Sequence, residues 1–336
     1  MSEAGDFGWA VIGPGRIAQR FAEAVQALPE ARIARVHARD PAKALAFATR
    51  WARPEAACRS LEELLADPAV DAVYIATPHA QHGEAVRACL LAGKPVLCEK
   101  PLVPSLAQAE PLFALARERG VFLMEALWTR FLPAYELLGR WLREGAIGEL
   151  RGIQSSFCFP APYDPASRLF APELAGGALL DIGIYNLAAT RFILEQALGA
   201  CPEPERITAQ ADLAPTGVDR QLSASLYFEG LASQFVCSFD AVSVNGLQIL
   251  GTRGRISLPQ SFSQATVLEL QRTGEPVQRV EAPFRINGFE GEIEESMACV
   301  RAGLVESPRM PHAESRALLN WMDRLRAQVG VRYPFE

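Results

Sequence analysis

Apolar residues recur along the first third of the chain in two alternating rhythms. Phe-Gly-Trp-Ala-Val-Ile at 7–12 is a short apolar run stopped by glycine, the pattern of a buried strand. An apolar-periodic stretch from Arg16 to Leu28 predicts a helix, ended by Pro29. The same alternation continues with a strand at Ile33–Ala38 and a helix at Pro41–Trp51, with proline in its first turn. Ser60-Leu61-Glu62-Glu63 fits a capping box opening another helix. A strand at Asp71–Ala76 and a helix at Gln81–Ala92 closed by Gly93 follow. Next come a strand at Val96–Cys98, a helix opened by Ser105-x-x-Gln108 and ended by Gly120, and a strand at Val121–Met124. Strands alternating with helices imply a doubly wound parallel sheet covered on both faces.

The rhythm changes after Glu125. Helices are predicted at Pro133–Glu144 and Ala178–Leu198. Strand-like runs fall at Arg151–Phe159, Arg206–Asp212, Leu222–Phe228, Ser233–Ser238, Leu247–Leu250, Val267–Gln271 and Val277–Val280, with Glu229-Gly230 as a hairpin turn. Sequential strands with short connections predict an antiparallel sheet. Two helices, Glu290–Ala302 and Ala313–Val329, close the pattern. The reading is α/β with two domains, 1–125 and 126–336, the final helices being able to pack back on the first.

Composition changes this picture little. With 336 residues, 49% hydrophobic and 21% charged, the chain is long enough for about two domains at roughly 150 residues each. A net charge of −6 without a basic stripe argues against nucleic acid as a partner. The acidic start, Met1–Asp6, lacks the features of a secretion signal, and no apolar stretch reads as a bilayer span, so no membrane partner is expected and the cytoplasm is the default location. The seven cysteines are scattered without a C-x-x-C pair, which suggests neither a disulfide framework nor a metal site.

The chemistry begins at Gly13-Pro14-Gly15-Arg16-Ile17-Ala18, a G-x-G-x-x-A sequence between a strand and a helix. In a Rossmann domain Gly13 permits the tight turn, Gly15 lets backbone approach a pyrophosphate, and Ala18 allows close helix–strand packing. The loop and first turn, Gly13 to Ile17, are therefore candidate cofactor contacts. Where an NAD enzyme places an acid for the ribose 2′-hydroxyl, this chain has Ala38, followed by Arg39, whose guanidinium suits a 2′-phosphate. NADP is favoured over NAD. Asp40 is the residue able to reverse that, unless it caps the helix at Pro41. Thr77 and His79, at the end of a strand, either touch the cofactor or form a turn into the next helix.

Glu99-Lys100-Pro101 directly follows a strand, and Gly176-Gly177 precedes Asp181-Ile182-Gly183-Ile184-Tyr185. Asp181 and Tyr185 are four apart, a spacing that a regular helix puts on one face. With the glycine loop, these ordered motifs resemble the Gfo/Idh/MocA oxidoreductase family over nearly the whole chain. Glu125–Phe131 is similar to its branch of dihydrodiol and NADP-dependent D-xylose dehydrogenases. The resemblance implies a Rossmann domain, a second α/β domain with a large open sheet, and homodimers or larger oligomers built on that sheet. It also places Glu99 and Lys100 at the cofactor and makes Lys100, Asp181 and Tyr185 the catalytic set. Members similar to inositol dehydrogenase carry histidine where this chain has Tyr185, which argues against that branch.

The assignment is chemically coherent. Oxidising an alcohol by hydride transfer needs a base for the hydroxyl proton. Tyrosine titrates at about 10 unperturbed, and a nearby ammonium such as that of Lys100 lowers it. Asp181 orients the lysine or the substrate hydroxyl. Trp128, Arg130, Phe157 and Phe159 are candidate substrate contacts, Phe157 and Phe159 equally readable as core. Loops around Pro160–Pro172 and Phe284–Gly288 would set pocket polarity. The resulting expectation is hydride transfer between nicotinamide and a CH–OH group of a small sugar, cyclic polyol or trans-dihydrodiol. A non-catalytic cofactor-binding sensor and a sugar oxidoreductase that retains its nucleotide stay open as alternatives.

Overall fold

The computed structural model describes residues 7–336, so the acidic start read above as lacking a signal lies outside the described residues. The chain forms two compact units. One holds the chain up to Trp128 together with Arg285–Ala317, and the other holds Thr129–Phe284 and Leu318–Glu336. Beside the expected 1–125 and 126–336 division, which allowed the final helices to pack back on the first domain, the late segment Arg285–Ala317 lies in the first unit.

In the first unit five strands, β1 (Phe7–Ile12), β2 (Ala31–His37), β3 (Ala72–Ile75), β4 (Val96–Glu99) and β5 (Leu123–Ala126), form a parallel sheet in the order β2-β1-β3-β4-β5. Every residue of β1, β3, β4 and β5 is buried, so both faces of the sheet are covered. The helices are α1 (Arg16–Ala27), α2 (Pro41–Trp51), α3 (Leu61–Ala66), α4 (His82–Leu91) and α5 (Leu106–Arg119). Trp9 meets Phe21 edge-on at 5.2 Å, and Phe21 stacks on Tyr74, tying α1 to the sheet. The order reverses between β1 and β3, and at such a point the carboxyl ends of strands leave a crevice for ligands.

Local signals behave as their chemistry dictates, with one exception. Asp40 caps α2 by accepting from the Ala42 N–H at 3.0 Å, and Ser60 caps α3 by accepting from Glu63 N–H at 3.2 Å. Gly120 ends α5 in the left-handed region at φ 64°. Ser105, expected to open a capping box, precedes α5 without a side-chain cap bond.

The second unit carries α6 (Pro133–Arg143), β6 (Leu150–Cys158), α7 (Ile184–Leu198), β7 (Arg206–Leu213), β8 (Asp219–Phe228), β9 (Leu231–Ser238), β10 (Leu247–Gly251), β11 (Gly254–Leu258), β12 (Val267–Arg272) and β13 (Gln278–Glu281). These strands make an eight-stranded sheet, β13-β12-β11-β10-β6-β9-β8-β7. All neighbours pair antiparallel except β6 with β9, which run parallel. The Glu229-Gly230 hairpin forms between β8 and β9, with Gly230 at φ 72°. Strand β11 escaped the sequence reading because Gly254-Arg255 continues what looks like the turn Thr252-Arg253. Only Ile256 and Leu258 carry the alternation.

Two helices follow in chain order, α8 (Glu290–Arg301) within the first unit and α9 (His312–Val329), whose chain passes from the first unit to the second after Ala317. One expectation needs correction. The segment Pro172–Leu198 is long and apolar enough, at mean hydropathy 1.3, to satisfy the length and composition of a membrane span. Its most apolar 18-residue window is instead 94% buried within the protein, which accounts for its apolar character.

Candidate active site

Gly13 follows β1 at φ 84°, and a Cβ there would lie 2.8 Å from the Ala76 carbonyl carbon and the Thr77 nitrogen. Both the left-handed backbone and the close approach to the end of β3 therefore demand glycine. Gly15 has only the Gly13 oxygen, at 4.0 Å, within reach of an added Cβ. Gly15, Arg16 and Ile17 are exposed, and α1 begins at Gly15 without a side-chain cap. Its first amide groups are thus presented outward, as an anion requires. Pro14 lies half-buried in the same turn, and Ala18 is fully buried against the sheet.

The neighbouring strand ends supply the rest. Thr77 Oγ1 is buried without a hydrogen-bond partner, an orphan hydroxyl beside Gly13 that a bound nucleotide would satisfy. His79 is buried next to it, at 7% exposure. After β2, Ala38 is half-buried and Arg39 exposed, while the Asp40 carboxylate is engaged at the α2 cap. The residues present therefore fit a dinucleotide.

Lys100 follows β4, half-buried, and its peptide bond to Pro101 is cis. Sequence reasoning missed His82, which fixes this loop. Its fully buried ring places Nδ1 2.9 Å from the Pro101 carbonyl oxygen and Nε2 2.8 Å from that of Thr77, bridging the loops after β3 and β4. Burial lowers the His82 pKa. Glu99, expected among the cofactor contacts, instead directs its carboxylate inward. One oxygen accepts from Tyr74 OH at 2.5 Å and the other from the Lys100 backbone N–H at 3.3 Å. Glu292 on α8 is fully buried too, with both carboxylate oxygens unpartnered. Burial, reinforced by the charge of Glu99, pushes its pKa far up and favours its protonated form. Cys98 is inert, since burial pushes its thiol far above the usual range.

In the second unit Asp181 lies in a π-helical turn, Leu179–Gly183, which runs into α7. The alignment of Asp181 with Tyr185 is therefore not that of a regular α-helix. Such insertions in helices cluster at functional sites. From Ala175 to Leu194, Tyr185 is the one side chain that is not buried, and its ring lies 5.6 Å from that of Phe157 on β6. Asp181, at 5% exposure, accepts from Arg168 NH1 at 2.9 Å. Arg168 also went unnamed in the sequence reading, although the Pro160–Pro172 loop that carries it was marked as setting polarity.

The other substrate candidates each have close neighbours within their own unit. The Trp128 ring has the Arg20 guanidinium 4.9 Å over it and Phe289 5.1 Å away. Arg130 is buried, paired with Glu195 and set against Phe192. Phe159 packs on Phe239 at 5.3 Å. Phe157 adjoins the tyrosine. Among the described residues, no group of three or more His, Cys, Asp or Glu is placed to hold a metal ion.

Residues 7–127 match the model of the oxidoreductase family with an NAD-binding Rossmann fold, and residues 135–257 match its GFO/IDH/MocA C-terminal domain. The chain belongs to the Gfo/Idh/MocA oxidoreductase family. It is 37% identical over 334 residues to the trans-1,2-dihydrobenzene-1,2-diol dehydrogenase of Mus musculus, covering 97% of this chain and 98% of that one. The human dehydrogenase of that name is 35% identical over the same shares. Among solved structures, a 3-ketoreductase from Actinomadura kijaniata in complex with NADP and TDP-benzene superposes with a TM-score of 0.83 at 28% identity, covering 96% of this chain and 98% of that one. The present Gfo/Idh/MocA member is accordingly an oxidoreductase with an NAD(P)-binding Rossmann domain.

Proposed function

We propose that this Gfo/Idh/MocA oxidoreductase uses NADP to interconvert a secondary alcohol and a carbonyl on a small ring-bearing substrate, a sugar or a trans-dihydrodiol. The observation that carries the reading is Tyr185, the one side chain between Ala175 and Leu194 that is not buried, on the same helical segment as Asp181 and beside an aromatic ring. The bound nicotinamide nucleotide supplies the hydride acceptor or donor. Tyr185 takes the proton of the alcohol in oxidation and returns it in reduction. The Lys100 ammonium favours the phenolate, and Asp181, held by Arg168, orients the reacting hydroxyl. The Actinomadura ketoreductase has also been solved with a lysine replaced and with a tyrosine replaced by phenylalanine, the two residue types assigned here to the proton path.

Arg39 supports NADP, because the acid that might compete for the ribose is committed to capping α2. Names of relatives support a ring-bearing substrate: a trans-1,2-dihydrobenzene-1,2-diol dehydrogenase in several vertebrates and a 3-ketoreductase solved with TDP-benzene. The enzyme is further proposed to work as a homodimer joined through its eight-stranded sheet. Along β8 one face is buried while Gln221, Ser223, Ser225 and Tyr227 on the other stay at least partly exposed. Light scattering tests the dimer, and a monomer at working concentration removes it.

The deciding experiment is a spectrophotometric screen of NADP+ and NAD+ against D-xylose, inositols and trans-1,2-dihydrobenzene-1,2-diol. Turnover of xylose or the diol with NADP+, abolished in Tyr185→Phe, is the expected result. Preference for NAD+ overturns the reading of Arg39, and full activity of Tyr185→Phe overturns the proton path.

A further inference from the structure

The turn that launches the Tyr185 helix is gripped from two sides. Gly177 is at φ 123°, and a Cβ on it would lie 2.3 Å from Asp219 Oδ1 and 3.6 Å from Tyr333 OH. Asp219, at the start of β8 and 1% exposed, accepts from the Leu179 N–H through Oδ2 at 2.6 Å. Tyr333 OH donates to the Gly176 carbonyl at 2.7 Å, in the interior. The tail that carries Tyr333 is itself pinned. The buried Arg326 of α9 forks onto Glu336 at 2.7 and 3.0 Å and bonds Asp323 at 2.7 Å. Tyr333 N–H donates to Glu336 at 3.2 Å, and the guanidinium of Arg326 lies 4.9 Å over the Tyr333 ring.

The opposite side of the turn leads to the chemistry. Gly177 N–H donates to the Leu169 carbonyl at 2.9 Å, and Gly176 N–H to that of Ala171 at 3.0 Å. A Cβ on Gly176 would lie 2.7 Å from the Leu169 oxygen, so the two strips of backbone touch. Leu169 is next to Arg168, the partner of Asp181. A path of hydrogen bonds and peptide links thus runs from Tyr333 through Gly176, Gly177 and Leu169 to the Arg168–Asp181 pair. A second path runs from Asp219 through Leu179 into the π turn.

We infer that Tyr333 and Asp219 are positioning residues for the active site, a clamp that sets where Asp181 and Tyr185 stand rather than a mere anchor of the tail. The inference rests on the role proposed above for Tyr185. Neither residue needs to touch substrate. Each fixes a main-chain atom of the turn, and an error in that turn is carried along the helix to the phenol. Small misplacements of a reacting group cost large factors in rate, which is how a distant hydrogen bond acquires catalytic weight.

The test is Tyr333→Phe, which keeps the buried ring and deletes one hydrogen bond. It is assayed with NADP+ and whichever of D-xylose and trans-1,2-dihydrobenzene-1,2-diol the wild type oxidises. The expected result is a fall in kcat of about tenfold or more, with the dissociation constant for NADP+ unchanged, since its contacts belong to the first unit. A kcat within twofold of wild type overturns the clamp, even where thermal stability drops. Should Tyr333→Phe fail to fold, Glu336→Gln loosens the same tail from outside and is read by the same ratio. Substrate-free, the phenolate absorbance of Tyr185, taken as the difference from Tyr185→Phe, gives a second readout. Its titration moves in Tyr333→Phe if the clamp positions the phenol and stays put if it does not. An inactive Tyr185→Phe with a fully active Tyr333→Phe defeats the clamp alone, whereas an active Tyr185→Phe defeats the proton path first.

Discussion

The two units build their functional surfaces from different materials. The first presents main chain, at Gly13, the uncapped start of α1 and the ends of parallel strands, to which the side chains of Thr77, Arg39 and Lys100 are added. The second uses side chains: Asp181 in a π turn, Tyr185 just after it, and Arg168 paired with Asp181. A backbone site depends on a few glycines and tolerates little there. A side-chain site depends on many distant contacts, each contributing something.

The comparison can be broken by substitution, and Tyr185→Phe should have the largest effect. Loss of a general acid–base group lowers kcat by roughly 10²–10⁴-fold. NADP+ affinity, measured by fluorescence titration, should stay within about twofold, since the change deletes only a hydroxyl outside the first unit. An equal loss in both would mean that the division of labour is wrong. Gly13→Ala comes next, with the opposite signature. Strain at φ 84° and a contact at 2.8 Å, backbone against backbone, should weaken nucleotide binding by ~100-fold or more, about 3 kcal/mol. Native binding in this variant would show that the loop can shift at no cost.

Arg39→Asp sharpens the comparison within the first unit. Removing a charge-assisted contact worth roughly 1.5–3 kcal/mol and adding a carboxylate should raise the KM for NADP+ by about tenfold or more while improving NAD+. Unchanged cofactor preference removes Arg39 from the site.

The smallest effect is one of pH. Burial pushes Asp219 up to about 7, against an ordinary value of 3.8. The folded protein therefore retains a proton that the unfolded chain releases above pH ~4, so this group favours folding at low pH and progressively less as pH rises towards 7. Asp219→Asn carries no such proton. Its melting temperature relative to wild type should climb between about pH 4 and 7 and level off above. A flat difference would show that Asp219 is ionised throughout.

How legible each site was follows from the same contrast. The glycine loop could be read directly because Gly-x-Gly between a strand and a helix has a local physical meaning, and Asp40 and Ser60 cap as their positions demand. The large sheet was also legible from alternation, apart from β11, where a glycine and an arginine mask the period. Tyr185 and Asp181 were found by motif, yet their helix was expected to be regular. Nothing in Leu-Leu-Asp-Ile-Gly announces a π turn. Arg168, His82 and Asp219 have no local signature at all, since each acts on a partner well away in sequence: Arg168 on Asp181, His82 on Pro101, Asp219 on Leu179. Trp128 and Arg130 show the converse, as an aromatic and a cation near a predicted site also make packing contacts, with Arg20 and Glu195 respectively.

The chain's late return to the first unit limits how this enzyme can be recombined. Strand β5 sends the Leu123 N–H to the Val305 carbonyl at 2.9 Å and receives His312 Nε2 at the Leu123 carbonyl, also at 2.9 Å. Glu125 accepts from Ser315 at 2.5 Å and from the Leu102 N–H at 2.8 Å. A nucleotide module excised at Trp128 would leave that carboxylate buried without its hydroxyl and one sheet edge without its cover. Exchanging the coenzyme half between relatives therefore calls for two grafted segments and three junctions, near 128, 285 and 317.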